Sequence, residues 1–339
     1  MQGSLKKRAL TNAGYIIAGQ GMNQFIRLIG NLVLTRLLAP ELFGLMAITS
    51  VAMAALALFS DIGTGAGVIR SSRGLEPRFL NTAWTIQVLR GTALWALTIL
   101  VAYPAARLYG HPILAHIIPV SGLGLLLSGF NSMALVKMGK NLQMGKVIIM
   151  NTSAYILGLL CIVVLAYYFR NIWALVIGGL VTPLIQLVWS YTLDRNIRHC
   201  FMLDQSVQTE LLHFGKWIFL STAMMFLATQ TDRMLLGKLF PIALFGIYSI
   251  AATLAEAPKT LVNAISGQVV FPLIAMYKEL PLPELRHKIL QKRKLLLAPL
   301  ALLVALFIGF GDVLIAVIYD TRYQEAGWIL PILALGVWP

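Results

Sequence analysis

The sequence predicts an all-α membrane protein, a multi-pass helix bundle of about ten spans in two similar lobes. The first observation behind this is composition: 58% of the 339 residues are apolar, 12% are charged, and the mean hydropathy is +0.80. A water-soluble core cannot hide that much hydrocarbon. The second is run length, because apolar stretches of about 20 residues, the length of a spanning helix, recur with short connections. These stretches do not alternate apolar and polar residues, which excludes a transmembrane barrel.

The predicted spans follow one another with little chain between them. In order they are 11–37, 42–69, 80–106, 112–136, 146–169, 171–193, 213–238, 243–275, 291–318 and 323–339. The basic start at Lys6, Lys7 and Arg8 does not indicate a signal peptide, because the apolar stretch after it contains Arg27 and runs on to Leu38. A cleaved signal has a shorter and less polar apolar region.

The positions of Lys and Arg orient the bundle. If the N-terminus is cytoplasmic, the inner segments hold 18 Lys and Arg residues and the outer segments hold six. Cytoplasmic loops carry such an excess, so the net charge of +14 is explained by topology and no nucleic-acid partner is expected. The prediction is a multi-pass protein of the cell inner membrane with a cytoplasmic N-terminus.

The third observation is an internal repeat at an offset of 202 residues. The run Leu42-Phe43-Gly44 returns as Leu244-Phe245-Gly246, and Lys238 stands where Arg36 stands in the first copy. Six spans precede the second copy, so both copies have the same orientation in the membrane. Parallel repeats of this kind are found in secondary transporters, where the substrate site lies between the two lobes and membrane lipids surround the protein. The predicted organisation is a six-span lobe at 1–193, a cytoplasmic linker at 194–212 and a four-span lobe at 213–339. Because the second copy stops at its fourth span, the sequence is expected to be a fragment of a longer chain.

Polar residues in the first span fall on one face of the helix. Gln20, Asn23, Gln24, Arg27 and Asn31 are three or four residues apart. Arg27 is near mid-bilayer, where a charge costs a few kcal/mol and usually faces a cavity or a partner. Arg27 and Asn31 are therefore candidate substrate-binding residues.

Other spans contain further charged candidates. Arg90, Arg233 and Lys259 are candidate substrate-binding cations, and Asp61, Asp232 and Glu256 are candidates for charge pairing or for ion coupling. Structural alternatives stay open for several of them. Arg233 also fits an interface anchor or a local pair with Asp232, and Glu256 and Lys259 fit a pair within one helix beside Pro258. Asp61 is expected to pair with Arg70 or Arg90.

No arrangement typical of an enzyme is visible. The five histidines lie in loops or at span ends, and the cysteines at 161 and 200 provide neither a disulfide framework nor a metal-binding spacing. We therefore predict a protein that is not an enzyme and uses neither a cofactor nor a metal.

Three stretches carry a resemblance to a known family. They are the basic start before a polar first span that leads into Arg36-Leu37-Leu38-Ala39-Pro40-Glu41-Leu42-Phe43-Gly44, then Ser60-Asp61-Ile62-Gly63, and Thr231-Asp232-Arg233-Met234-Leu235-Leu236-Gly237. Together they resemble the polysaccharide transporter family, the Wzx-type oligosaccharide flippases of the multidrug/oligosaccharidyl-lipid/polysaccharide exporter superfamily. Family members have twelve to fourteen spans in two lobes.

The resemblance implies a function and partners. It implies that the protein moves a polyprenyl-pyrophosphate-linked oligosaccharide from the cytoplasmic to the outer leaflet by alternating access, beside a polysaccharide polymerase and its chain-length machinery. An anionic head group needs fixed cations at mid-depth, which Arg can supply bidentately. Three alternatives stay open: a cation-coupled multidrug exporter of the same superfamily, a membrane-embedded glycan polymerase or glycosyltransferase, and a scaffold for glycan-assembly enzymes. The cations in both lobes count against the first, and the short outer loops count against the second.

Overall fold

The computed structural model describes residues 2–59, 63–141, 143–265 and 282–337. Within these ranges the regular structure is entirely helical. The helices are α1 (Gln2–Leu37), α2 (Pro40–Phe59), α3 (Thr64–Arg70), α4 (Pro77–Tyr109), α5 (Leu114–Gly129), α6 (Ala134–Lys140), α7 (Met144–Phe169), α8 (Ile172–Leu193), α9 (Gln205–Leu239), α10 (Ile242–Ile265), α11 (Leu282–Ile318) and α12 (Ala326–Val337). The predicted all-α class is confirmed.

Several helices have the length and apolarity of membrane spans. Among the described residues five qualify: the stretch Pro40–Leu58 of α2, the helices α4, α7 and α8, and the stretch Leu300–Ile318 of α11. The bent pair α5 and α6 brings the number to six if it is counted as one span. The total of ten spans stays a prediction, because part of the chain lies outside the described ranges.

Two predicted spans are interrupted. The span at 42–69 is divided into α2 and α3, and α3 follows Gly63, whose φ of 61° lies in the left-handed region that favours glycine. The span at 112–136 is divided into α5 and α6, which are bent by 58° relative to each other. The last turn of α8 supports this second break: the Tyr191 hydroxyl donates to Phe130 O at 2.8 Å, and Ser190 Oγ accepts from Ser132 N at 3.0 Å.

The chain divides into two compact units. One comprises Gly44–Phe245, in which α4 packs along α5, α7 along α8, and α5 against α8. Small residues bring α4 and α5 together, since a Cβ added to Gly91 would lie 2.9 Å from the Cα of Gly129. A buried cluster that includes Phe79, Trp84 and Leu211 ties the start of α4 to the start of α9.

The other unit comprises Met1–Phe43 and Gly246–Pro339. Within it α11 packs along α12 through Leu300, Val304 and Ala334. The turn before α12 inserts Tyr323, which is fully buried and meets the Phe43 ring edge-on at 6.1 Å. The lobes at 1–193 and 213–339 remain a prediction, because packing within a unit does not test the symmetry of the repeat.

Candidate functional site

The polar face of α1 contains a buried guanidinium. Arg27 Nε and Nη2 each have less than 1 Å² of accessible surface and no hydrogen-bond partner among the described residues. These two atoms form one edge of the guanidinium, with two N–H bonds that are nearly parallel. The same edge binds carboxylate or phosphate oxygens bidentately. Arg27 therefore presents a buried two-donor edge that an oxyanion can complete.

Two neighbours of Arg27 share this unusual state. Asn23 Oδ1 and Gln24 Nε2 are also buried, and the part of the chain that the structure describes offers them no hydrogen-bond partner. The residues at 23, 24 and 27 lie within one helical turn, so the four atoms lie along one face of α1. Buried polar atoms are nearly always paired, and each one left unpaired costs about 1–3 kcal/mol. Three donor atoms against one acceptor give this face a preference for an anionic ligand. Asn31, one turn further on, is half-buried.

Arg90 lies in the middle of α4 and contacts the last turns of α2. Its Nη2 donates to Ala57 O at 3.0 Å. A cation at a helix C-terminus is stabilised by the exposed carbonyl groups and by the helix dipole. Arg90 therefore holds α4 to α2, and a substrate-binding role for it remains a prediction.

Arg90 also lines a cavity of about 280 Å³ beside the break between α5 and α6. Gln87, one turn earlier on α4, donates from Nε2 to Ser128 O and Gly129 O, both at 3.1 Å, and to Asn131 O at 3.4 Å. These bonds link α4 to carbonyl groups at the end of α5 and just beyond it, and Ser128 O also accepts from Asn131 N at 3.3 Å. Asn131 Oδ1 is buried and has no hydrogen-bond partner within the described ranges. Sequence reasoning missed Gln87 and Asn131, although a polar pair at 131 and 132 inside an apolar run was a signal.

The other predicted site residues lie on α9 and α10. On α9, Arg233 is half-buried and Asp232 is exposed; on α10, Glu256 and Lys259 are both exposed. Asp61 lies outside the described residues. Within the described ranges, no three His, Cys, Asp or Glu side chains are close enough together to hold a metal ion.

The overall fold is similar to that of a solved transporter. A solved structure described as the inward-facing conformation of a multidrug resistance MATE family transporter of the MOP superfamily superposes with a TM-score of 0.62. The match covers 96% of this chain and 82% of that one at 15% sequence identity, so it establishes the fold alone. The chain has the fold of a MOP-superfamily transporter.

The family follows from the sequence. The model of the polysaccharide biosynthesis protein family matches residues 33–327, so the chain belongs to that family. The resemblance to polysaccharide transporters is thereby confirmed.

Several curated proteins are related to the chain. The lipopolysaccharide biosynthesis protein WzxC of Escherichia coli K12 is 23% identical over 81% of this chain and 56% of its own length. The amylovoran biosynthesis protein AmsL of Erwinia amylovora is 23% identical over 75% of this chain and 66% of its own length. The succinoglycan biosynthesis transport protein ExoT of Rhizobium meliloti is 24% identical over 78% of this chain and 53% of its own length. The chain spans between about half and two thirds of the length of these relatives.

Proposed function

We propose that this chain belongs to a flippase that moves a polyprenyl-pyrophosphate-linked oligosaccharide from the cytoplasmic to the outer leaflet by alternating access. The observation that carries the proposal is the buried guanidinium edge of Arg27, with two N–H donors that have no partner in the described part of the chain. A pyrophosphate supplies the oxygen atoms that such an edge binds. The names of the relatives, which concern lipopolysaccharide, amylovoran and succinoglycan, support the same substrate class.

The physical reason is that the substrate must exchange its water for protein contacts. A pyrophosphate cannot enter the hydrocarbon layer without fixed positive partners. Arg27 Nε and Nη2 each have less than 1 Å² of accessible surface, so binding an oxyanion at this edge removes little water from the cation. Gln24 Nε2 adds a third donor on the same face, and Asn23 Oδ1 adds an acceptor that can take a sugar hydroxyl.

The remaining candidates have supporting roles in this proposal. Asn31, Arg90, Arg233 and Lys259 contact the head group at other stages of its passage. Asp61, Asp232 and Glu256 pair with these cations or carry a coupling ion. The N-terminus is cytoplasmic and the membrane is the inner one, so the membrane potential contributes about 2.3 kcal/mol per charge per 100 mV. Translocation requires no covalent chemistry. The lipid-linked oligosaccharide on the outer leaflet then passes to a polymerase with its chain-length machinery.

The experiment measures which leaflet holds the lipid-linked glycan. In cells that lack the protein, an impermeant lectin reports glycan on the outer leaflet before and after this chain is restored. We expect restoration to move accumulated precursor outward. Arg27→Gln should reduce the rate about tenfold or more, because it removes a charge-assisted hydrogen-bond pair. Arg27→Lys should also be slow, since a lysine keeps the charge without the two-donor edge.

The matched control is Arg36→Gln, which removes the same side chain from the exposed end of the same helix. It should transport at the wild-type rate. If Arg27→Gln and Lys259→Gln both transport normally while remaining folded by size-exclusion chromatography, the cationic mechanism is wrong. If no precursor accumulates without the protein, the flippase function is wrong, and export of another substrate becomes the hypothesis.

A further inference from the structure

The segment between α8 and α9, residues 194–204, is called the strap below. It runs along the first turns of α4 and is fixed there by three bonds from its own backbone. Cys200 N donates to Asn81 Oδ1 at 3.3 Å, Met202 N to Thr85 Oγ1 at 3.0 Å, and Asp204 N to Thr82 Oγ1 at 3.2 Å. The strap is therefore an ordered element and has a defined outer surface.

Two side chains fix the first part of the strap. His199 Nε2 accepts from Met133 N at 3.1 Å, and its ring lies between those of Trp84 and Tyr191, with centroids 5.1 and 5.2 Å away. Asp194 accepts from Lys137 Nζ at 2.7 Å. Both contacts are made to the region around α6, so the strap is held at its start as well as along α4.

This ordered strap carries three consecutive exposed apolar side chains. The exposed fractions are 68% for Phe201, 40% for Met202 and 55% for Leu203. Alternating side chains of an extended segment point to opposite sides, which fits the higher exposure of Phe201 and Leu203 than of Met202. The Phe201 ring packs on one side against the Trp84 ring, with the two centroids 5.0 Å apart, but most of the Phe201 side chain and more than half of the Leu203 side chain stay exposed. This exposed apolar surface on a rigid segment needs an apolar environment to cover it.

The position of the strap identifies that environment. It follows the last residue of α8, Leu193, and contacts the first turns of α4, which begins at Pro77. Both helices have the length and apolarity of membrane spans. The strap thus lies at a membrane edge, at the level where hydrocarbon gives way to lipid head groups. Amphipathic segments bind at this level with apolar side chains in the boundary layer.

The charges at this edge are complementary to anionic lipid. Arg78, Lys146, Arg195 and Arg198 are exposed around the strap. Most of the neighbouring acids are occupied within the protein: Asp194 binds Lys137, Asp204 caps the start of α9, and Glu210 pairs with Arg73 at 3.3 Å. Among the described residues, Glu76 is a further exposed acid beside them. The surplus of cations favours phospholipids with a negative head group.

We propose that the strap is an interfacial lipid-binding element. Phe201 and Leu203 insert at the boundary between head groups and acyl chains, and Arg195 and Arg198 bind the phosphates of anionic lipids. This interaction does not depend on the transported substrate. It holds the connection between α8 and α9 against the membrane edge while the protein works.

The test uses the full chain in lipid nanodiscs, with a single cysteine for an environment-sensitive fluorophore. In a Cys161→Ser, Cys200→Ser background, cysteine is placed by Phe201→Cys, Met202→Cys or Leu203→Cys, and Ser72→Cys serves as the matched control. Ser72 is exposed on the polar turn between α3 and α4, at the same edge. We expect lipids with a shallow nitroxide to quench labels at 201 and 203 at least twofold more than labels at 72 or 202. Aqueous iodide should quench the label at 72 most strongly.

Lipid composition tests the role of the arginines. Replacing zwitterionic lipid by one third phosphatidylglycerol should increase the shallow-lipid quenching at 201, and Arg195→Gln with Arg198→Gln should abolish that increase. Two independent label positions keep the test valid if one variant fails to fold. Equal iodide quenching at 201, 203 and 72 would overturn the proposal. So would shielding of the label that appears only with a copurifying protein, since the occupant would then be a protein partner.

Discussion

Arg322 holds the end of α1 from the turn before α12. Its Nη2 donates to the main-chain oxygens of Thr35 and Arg36, both at 3.2 Å, while Asp320 Oδ2 accepts from the same guanidinium at 2.8 Å. The last carbonyl groups of a helix lack partners within that helix, and a cation there also interacts with the helix dipole. One side chain therefore fixes the helix that carries Arg27 to a turn far along the chain.

Tyr323, next to Arg322, provides a measurable test of this junction. Its side chain is fully buried, and its hydroxyl donates to Leu38 O at 3.1 Å, just beyond the end of α1. Tyr323→Phe should lower the free energy of unfolding by about 1 kcal/mol, because Leu38 O then lacks its partner. The measurement is the midpoint of thermal unfolding in detergent. Tyr103→Phe, on an exposed tyrosine of α4, should leave the midpoint unchanged; equal shifts for both variants would contradict a special role for the junction.

His199 should make stability depend on pH. Its Nε2 must be unprotonated to accept from Met133 N, and burial lowers the pKa of His199 below its ordinary value of 6.5. The folded state therefore favours the neutral ring, so this contribution is present above pH 6.5 and is lost as the pH falls towards the lower folded pKa. Between pH 7.5 and pH 5, the wild type should lose more thermal stability than His199→Gln, whose amide oxygen accepts without titrating.

A control separates this effect from general acid destabilisation. His111→Gln changes a histidine in the turn after α4 and should keep the pH dependence of the wild type. If His199→Gln also keeps it, the histidine does not control the stability of the strap at low pH.

The Lys137 and Asp194 pair should stabilise the protein through direct coupling. The two side chains are 33% and 18% exposed, and the hydrogen bond from Lys137 holds the pKa of Asp194 below its ordinary value. The contribution is present above a pH of about 4 and is lost as the pH falls below it. At neutral pH, Asp194→Asn and Lys137→Gln should each cost about 1 kcal/mol. The double variant should cost less than the sum of the two; additive losses in this cycle would mean that the pair is not coupled.

Length and apolarity were enough to predict the uninterrupted helices. The spans expected at 146–169 and 171–193 match α7 and α8 within two residues at each end. The interruptions between α2 and α3 and between α5 and α6 were missed, although the sequence has a polar pair near each, Ser60-Asp61 and Asn131-Ser132. Hydropathy averaged over the length of a span does not register so short a polar pair. Tertiary contacts stabilise the second break: Gln87 and Tyr191 donate hydrogen bonds to it and Ser190 accepts one from it, and all three residues are distant in sequence.

In the candidate site, too, features that depend on local sequence were predictable and features that depend on tertiary contacts were not. Helical spacing predicted the face of α1 that carries Arg27, since it depends only on residues three and four apart. That the guanidinium edge of Arg27 is buried without a partner depends on the folded surroundings and could not be predicted. The bond from Arg90 to Ala57 O was also unpredictable, because hydropathy does not indicate which helix end a half-buried cation contacts.

The contact between α7 and α8 depends on one of two adjacent glycines. A Cβ added to Gly178 would lie 2.6 Å from Ile162 Cγ1 and 2.9 Å from Ile162 Cα, whereas one added to Gly179 would meet nothing within 4 Å. The Ile162 side chain could rotate away, but its backbone cannot move without displacing α7. Small residues allow such close approach between membrane helices.

Alanine at these two positions should therefore have opposite effects. Gly178→Ala should destabilise the protein by about 1–3 kcal/mol, the usual cost of overpacking. Gly179→Ala should be neutral or stabilising by up to about 1 kcal/mol, because alanine favours the helix more than glycine does. Thermal unfolding of both variants in the same detergent makes the comparison, since sequence context and composition are nearly identical. An unchanged midpoint for Gly178→Ala would show that α7 and α8 separate easily, and their close packing would then not contribute to stability.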